Sequence, residues 1–211
     1  MNLSRYVWYV ILIPLIVGGM YFTKLSKSHK YLYYFVVFGT FIEITNKLLR
    51  KLLDIKNNMP LGHFYITVSF IFLALFFLYE LKGFVSKKII AGIIMLYVLF
   101  STYIILFIQS YLDYPSISGA VSALLLVSFA ILLYANVMRE GKIKVLSDSS
   151  LIWINSAVLI YYSGNFFFYI LFNFILHYSR EFLIKTLNFF SVLNFIFYIL
   201  LAVGLYKAGK K

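Results

Sequence analysis

The sequence predicts an all-α integral membrane protein. It reads as one transmembrane domain over residues 1–211, folded as a seven-transmembrane-helix bundle with the N-terminus outside and the C-terminus inside. Three observations predict this. Of 211 residues, 63% are hydrophobic and only 12% charged, with a mean hydropathy of +0.93, whereas a soluble domain is roughly 45–50% apolar and about 25% charged. The apolar residues form runs of about 20, the length that crosses a hydrocarbon core. Basic residues fall between the runs and favour one side.

Seven runs qualify, at about 6–22, 31–49, 61–81, 89–112, 116–138, 151–177 and 182–206. The first lacks a small-x-small cleavage site, and Lys24, Lys27 and Lys30 beyond it outnumber Arg5 before it, so it reads as a span and not a secretory signal. The second lies between that basic cluster and Lys47–Lys56. The third opens just after Pro60, a residue suited to a first helical turn. The fourth runs from Ile89 to Leu112. The fifth carries Ser118, Gly119, Ser122 and Ala123, small residues at i, i+4 spacing that permit close helix packing. The sixth and seventh are separated clearly only by Tyr178-Ser179-Arg180-Glu181.

With the N-terminus outside, twelve of the 19 Lys and Arg residues lie inside and seven outside, the bias that cytoplasmic loops carry. The net charge of +12 is spread over small clusters with no basic arm. Its expected partner is therefore the lipid bilayer and its anionic headgroups, and no nucleic acid. The absence of cysteine excludes a disulfide framework, a thiolate metal site and a cysteine nucleophile. Abundant Phe, Tyr, Ile, Lys and Asn suit an AT-rich coding sequence, hence a bacterial inner membrane. No hydrophilic segment exceeds about a dozen residues, and no phosphate-binding loop, dinucleotide turn or Gly-x-Ser-x-Gly elbow is present. Any activity belongs to the bundle or to a partner; no cofactor and no catalytic residue is assigned.

Charged and amide side chains within the spans are costly, about 2.5–3.5 kcal/mol for an Asp, Lys or Arg at a helix centre, so they face other helices or an aqueous cavity. Glu43 lies in the outer half of the second span, with Asn46 and Arg50 at helical spacing; Lys47 at i+4 offers it an ion pair as the alternative role. In the sixth span Asn155, Tyr162, Asn165, Tyr169, Asn173 and His177 fall within about 120° of a helical wheel. In the seventh, Asn188, Ser191, Asn194 and Tyr198 make a second polar face. Either face can serve interhelical hydrogen bonding or line a cavity. Glu43, His63, Asp113 and His177 all fall towards the outer side, which would make an outward-facing polar vestibule. The pocket candidates are thus Glu43, Asn46, His63, Asp113, Asn165, Asn173, His177, Asn188 and Asn194. His29 falls on the opposite side, so three convergent imidazoles and a metal site are not expected. Glu80, beside Lys82, reads as interfacial.

A faint internal repeat aligns Phe64–Leu75 with Phe189–Leu200 at an offset of 125, and Gly39-Thr40-Phe41 with Gly164-Asn165-Phe166. It would relate spans two and three to six and seven, as in a parallel three-plus-one-plus-three transporter. Known seven-helix families fit poorly. No lysine sits mid-way along the last span, as a retinal Schiff base needs. The paired prolines and Pro-Gln motif of sugar transporters are absent. Gly62-His63-Phe64-Tyr65 is similar to a piece of lysoplasmalogenase-like enzymes, whose Gly-Asp helix motif is missing here.

Two segments, Asn58-Met59-Pro60-Leu61-Gly62-His63-Phe64-Tyr65 and Trp153-Ile154-Asn155-Ser156 continuing to Leu159–Asn165, resemble an uncharacterised family of small bacterial seven-helix proteins. Members of that family look like companions of sensor histidine kinases. The resemblance implies a signalling partner, cytoplasmic or membrane-bound, and supplies no ligand. Three functions remain expected: a sensor or receptor-like subunit relaying a signal to a separate cytoplasmic partner, a small-solute transporter, or an intramembrane lipid-acting hydrolase, with a non-enzymatic role favoured.

Overall fold

The computed structural model describes residues 6–52, 54, 57–141 and 146–210, without the side chains of 146, 173, 174, 176–178 and 180. Seven helices follow one another: α1 (Val7–Met20), α2 (Lys27–Leu52), α3 (Met59–Glu80), α4 (Lys87–Ile108), α5 (Ser116–Glu140), α6 (Ser150–Tyr178) and α7 (Arg180–Gly209). All but α1 are long and apolar enough to cross a membrane. At 1.5 Å per residue α1 covers about 21 Å, short of a hydrocarbon core of about 30 Å. Its regular geometry breaks at Ile11, next to the Val10 carbonyl, which Pro14 cannot serve as a donor.

Local chemistry fixes the helix ends. Asn57 accepts a hydrogen bond from the Met59 backbone N–H at 2.9 Å where α3 begins, with Pro60 in the first turn. The last turn of α4 widens into a π-turn at Ile104–Ile108 and the chain extends at Gln109, so this helix stops short of the predicted Leu112. Gln109 then donates to the Tyr114 carbonyl at 2.7 Å and to Ser116 at 3.0 Å, closing the turn into α5. Gly141 ends α5 in the left-handed region at φ +59°, a position that favours glycine. A single residue, Ser179, joins α6 to α7, and its hydroxyl accepts from the Phe182 N–H at 3.1 Å as an N-cap.

Six helices close a ring in the order α1, α2, α3, α5, α6, α7 and back to α1, while α4 packs outside against α3 and α5. Correspondingly, α4 is the least buried of the long helices. The core runs through the ring in large apolar side chains, including Leu32, Phe35, Phe70, Leu73, Phe76, Phe77, Leu126, Leu133, Phe197 and Leu201. Outward faces carry Phe41, Met95, Leu96, Phe107, Met138 and Phe167, all exposed, as a lipid-facing surface requires and water would disfavour. Glycines let helices approach: an added Cβ on Gly119 would lie 2.5 Å from the Tyr169 ring, and one on Gly164 would lie 2.4 Å from Leu193.

Candidate functional site

A cavity of about 390 Å³ opens at the end of the bundle that carries the Asp113 turn. Four helices build most of it, each through one face, and α1 adds Val7. On α2, Gly39, Ile42, Glu43 and Asn46 line the cavity, whereas Phe41, Ile44, Leu48 and Leu52 are exposed. At about 100° per residue these are opposite faces of one helix, which puts Glu43 on the cavity side although it is itself exposed. On α3, Gly62, Tyr65 and Ile66 contribute; on α6, Tyr161, Asn165, Phe168 and Tyr169; on α7, Leu187, Phe190, Ser191, Asn194 and Tyr198. Asn58, Tyr114 and Pro115 complete the rim.

Glu43 is the only charged side chain among the described lining residues. It has no hydrogen-bond or ion-pair partner among the described residues. The expected pair with Lys47 does not form; the Lys47 ammonium lies over the Trp8 ring, 3.3 Å from its centroid. The carboxylate stands within electrostatic reach of Lys47 and Arg50 on its own helix and of Tyr65, Tyr161 and Tyr198, one each from α3, α6 and α7. The amides are held by their own helices. Asn165 donates to the Tyr161 carbonyl at 2.8 Å and Asn194 to the Phe190 carbonyl at 2.9 Å, while Asn46 accepts from Asn58 at 3.2 Å. With the NH2 groups of Asn165 and Asn194 so used, each keeps an amide oxygen, an acceptor. The aromatic wall is packed rigidly: Tyr114 stacks on Phe172 at 3.7 Å, and Tyr161 on Phe197 at 4.4 Å.

The predicted candidates divide accordingly. Glu43, Asn46, Asn165 and Asn194 meet at the cavity. His63 and Asp113 come together, but outside it: the buried His63 donates from Nε2 to the Asp113 backbone carbonyl at 3.0 Å, tying α3 to the turn before α5, and the Asp113 side chain is exposed. Asn188 is half-buried on α7 and does not line the cavity. The side chains of Asn173 and His177 lie outside the described residues. A vestibule shared by Glu43, His63 and Asp113 is thus replaced by one in which Glu43 faces tyrosines. Tyr65, Tyr114 and Tyr161 were not singled out from sequence. Among 19 tyrosines nothing marks them, and Tyr161 differs from Tyr162 only by the direction in which a helix turns.

A second polar cluster sits at the opposite end. His29 hydrogen-bonds through Nδ1 with Ser26 at 2.6 Å and through Nε2 with Ser150 at 3.2 Å, linking α2 to the start of α6. Ser28 donates to Glu80 at the end of α3, whose carboxylate lies 4.0 Å from His29. Glu80, read as interfacial, is half-buried in this cluster at the end of α3. No known protein family, functionally described protein or solved structure matches the chain.

Proposed function

We propose that the protein is a receptor-like subunit of a bacterial cell membrane, with its N-terminus outside, which binds a small ligand in the cavity and relays occupancy to a separate cytoplasmic partner. One observation carries this reading: four helices turn their polar faces into a single cavity at one end of the bundle. Of these helices, α7 spans 30 residues without a break, about 45 Å. It runs from Ser191 and Asn194 in the cavity to Lys207 and Lys210 at the far end. A ligand that shifts α7 at the cavity therefore moves that basic end, where short loops with Lys82, Lys87, Lys88 and Arg139 would form the docking surface. A signalling protein such as a histidine kinase is the partner class that the sequence resemblance implies.

A transporter is the second reading, favoured by a specific correspondence. Positions related by the 125-residue offset line the cavity in pairs: Glu43 with Phe168, Gly62 with Leu187, Tyr65 with Phe190 and Ile66 with Ser191. The ring order also maps onto itself when α1, α2 and α3 are exchanged for α5, α6 and α7, with α4 as the outlying linker. A cavity open at one end would then be one state of alternating access. The hydrolase reading gains no support, because no imidazole and no second carboxylate lines the cavity beside Glu43 among the described residues.

Affinity purification of the full chain in mild detergent, with mass spectrometry of the eluate, separates the readings. A signalling protein recovered at comparable stoichiometry supports the relay. A clean, monodisperse protein that moves solute into liposomes on its own overturns it in favour of transport.

A further inference from the structure

We infer that the cavity recognises an organic ammonium ion, a small cation whose head is held by Glu43 and the surrounding tyrosines. The inference rests on the ligand-binding reading above and adds to it the charge and class of the ligand. The chain carries 19 Lys and Arg against seven Asp and Glu, yet among the described residues that line the cavity the one charge is negative. An anion would meet a carboxylate and the free amide oxygens of Asn165 and Asn194, with no cationic side chain on the described lining to offset them. A cation meets the opposite. Glu43 supplies the one acidic group of the described lining; Lys47 and Arg50 on the same helix reach it electrostatically, but neither lines the cavity, and Lys47 is engaged on Trp8.

The rest of the wall suits an ammonium rather than a metal ion. Five tyrosines, at 65, 114, 161, 169 and 198, and two phenylalanines, at 168 and 190, line the space. Aromatic rings around an alkylammonium attract it through their quadrupoles, the arrangement that recognises quaternary ammonium groups. Asn165 and Asn194 leave oxygens that accept from an N–H or a ligand hydroxyl. Conversely, no group of three His, Cys, Asp or Glu residues among those described could hold a metal ion. At about 390 Å³ the space is near the lower end of the range for small-molecule pockets, roughly 300–1,000 Å³, which fits a small amine and excludes a folded peptide.

The same chemistry is found in a free solute and in the headgroup of a choline or ethanolamine lipid, so the test has arms for both. Binding of choline, tetramethylammonium and 3,3-dimethyl-1-butanol, the neutral isostere of choline, is measured by calorimetry on the full chain in phosphatidylglycerol nanodiscs. The expected result is that choline binds at least about tenfold more tightly than its neutral isostere, and that Glu43→Gln removes this preference while leaving the isostere within about threefold. Gly62→Leu, whose Cβ meets nothing nearer than Pro115 at 3.8 Å, adds bulk to the cavity wall and should abolish binding of both, with Gly62→Ala as the milder control that the Cβ clearance admits. Choline affinity that falls in phosphatidylcholine nanodiscs assigns the site to a lipid headgroup; unchanged affinity assigns it to a free solute. Equal binding of choline and isostere, sensitive to Gly62→Leu but not to Glu43→Gln, overturns the ammonium assignment and leaves the ligand-binding reading standing. No binding of either quaternary ammonium also overturns it, whether or not a partner is found by co-purification.

Discussion

Replacing Gly119 by alanine tests how the aromatic wall of the cavity is held. An added Cβ at this position lies 2.5 Å from both Cδ1 and Cε1 of Tyr169 and 2.9 Å from Cγ, whereas carbon atoms pack favourably at about 3.5–4.0 Å. The ring must therefore retreat by about 1 Å. It has little room: Tyr169 is 9% exposed and lies 5.8 Å from the Tyr114 ring, which is itself stacked on Phe172. Overpacking of this kind costs about 1–3 kcal/mol, set against a gain of up to about 1 kcal/mol for replacing a helical glycine by alanine. Gly92 on α4 isolates the two terms, since a Cβ there meets nothing within 4 Å. Gly92→Ala should be neutral or slightly stabilising, and Gly119→Ala less stable than Gly92→Ala by about 1–3 kcal/mol. Denaturant titration in mixed micelles gives both values. A double-mutant cycle then identifies the contact: in a Tyr169→Ala background the clash is gone, and the cost of Gly119→Ala should fall by at least about 1 kcal/mol. An equal cost in both backgrounds would refute Tyr169 as the neighbour and, with it, the close α5–α6 approach that sets the cavity wall.

Three further outcomes follow from the geometry. The absence of cysteine makes single-cysteine labelling clean, and Ser110 and Ser86 are exposed at opposite ends of α4; Ser110→Cys should react with an impermeant maleimide on intact cells and Ser86→Cys only after permeabilisation, the reverse pattern inverting the proposed orientation. Gly141→Ala places a side chain at φ +59° and should destabilise by about 1 kcal/mol, with Gly141→Asn milder, so identical unfolding midpoints for the three proteins would count against the α5 terminus described. Glu80→Ala removes the acceptor of the Ser28 hydroxyl and the neighbour of His29 and should cost about 1.5–3 kcal/mol. Glu80→Gln, which still accepts, should cost less, and equal losses would mean that side-chain volume matters there and hydrogen bonding does not.

The helices were legible because their lengths answer to one external dimension. A segment that crosses lipid must satisfy its backbone internally over about 20 residues, and the described helices fall within a few residues of the predicted spans, apart from the earlier end of α4 and the break at Ile11. The carboxylate and amides of the cavity were legible for the same reason. Lipid cannot satisfy an amide or a carboxylate, so Asn165, Asn194, Asn46 and Glu43 had to face inward. His63 shows the limit of that rule. It is buried, but its Nε2 is spent on a backbone carbonyl three residues before Ser116, and the sequence does not distinguish a tie between elements from a pocket wall.

The sequence by itself determined the all-helical class, the positions of seven apolar helices and the polar faces that cannot meet lipid. Only the tertiary structure decided which helices are neighbours. It placed α4 outside the ring, brought Tyr65, Tyr161 and Tyr198 around Glu43, and joined His29 to Glu80 and Ser150. The reason is physical: six helices are all apolar enough to cross lipid, and a helix's hydropathy does not say which neighbour it touches. Association turns instead on shape, on where Gly119 and Gly164 let a tyrosine or leucine approach, and on which polar groups then find one another.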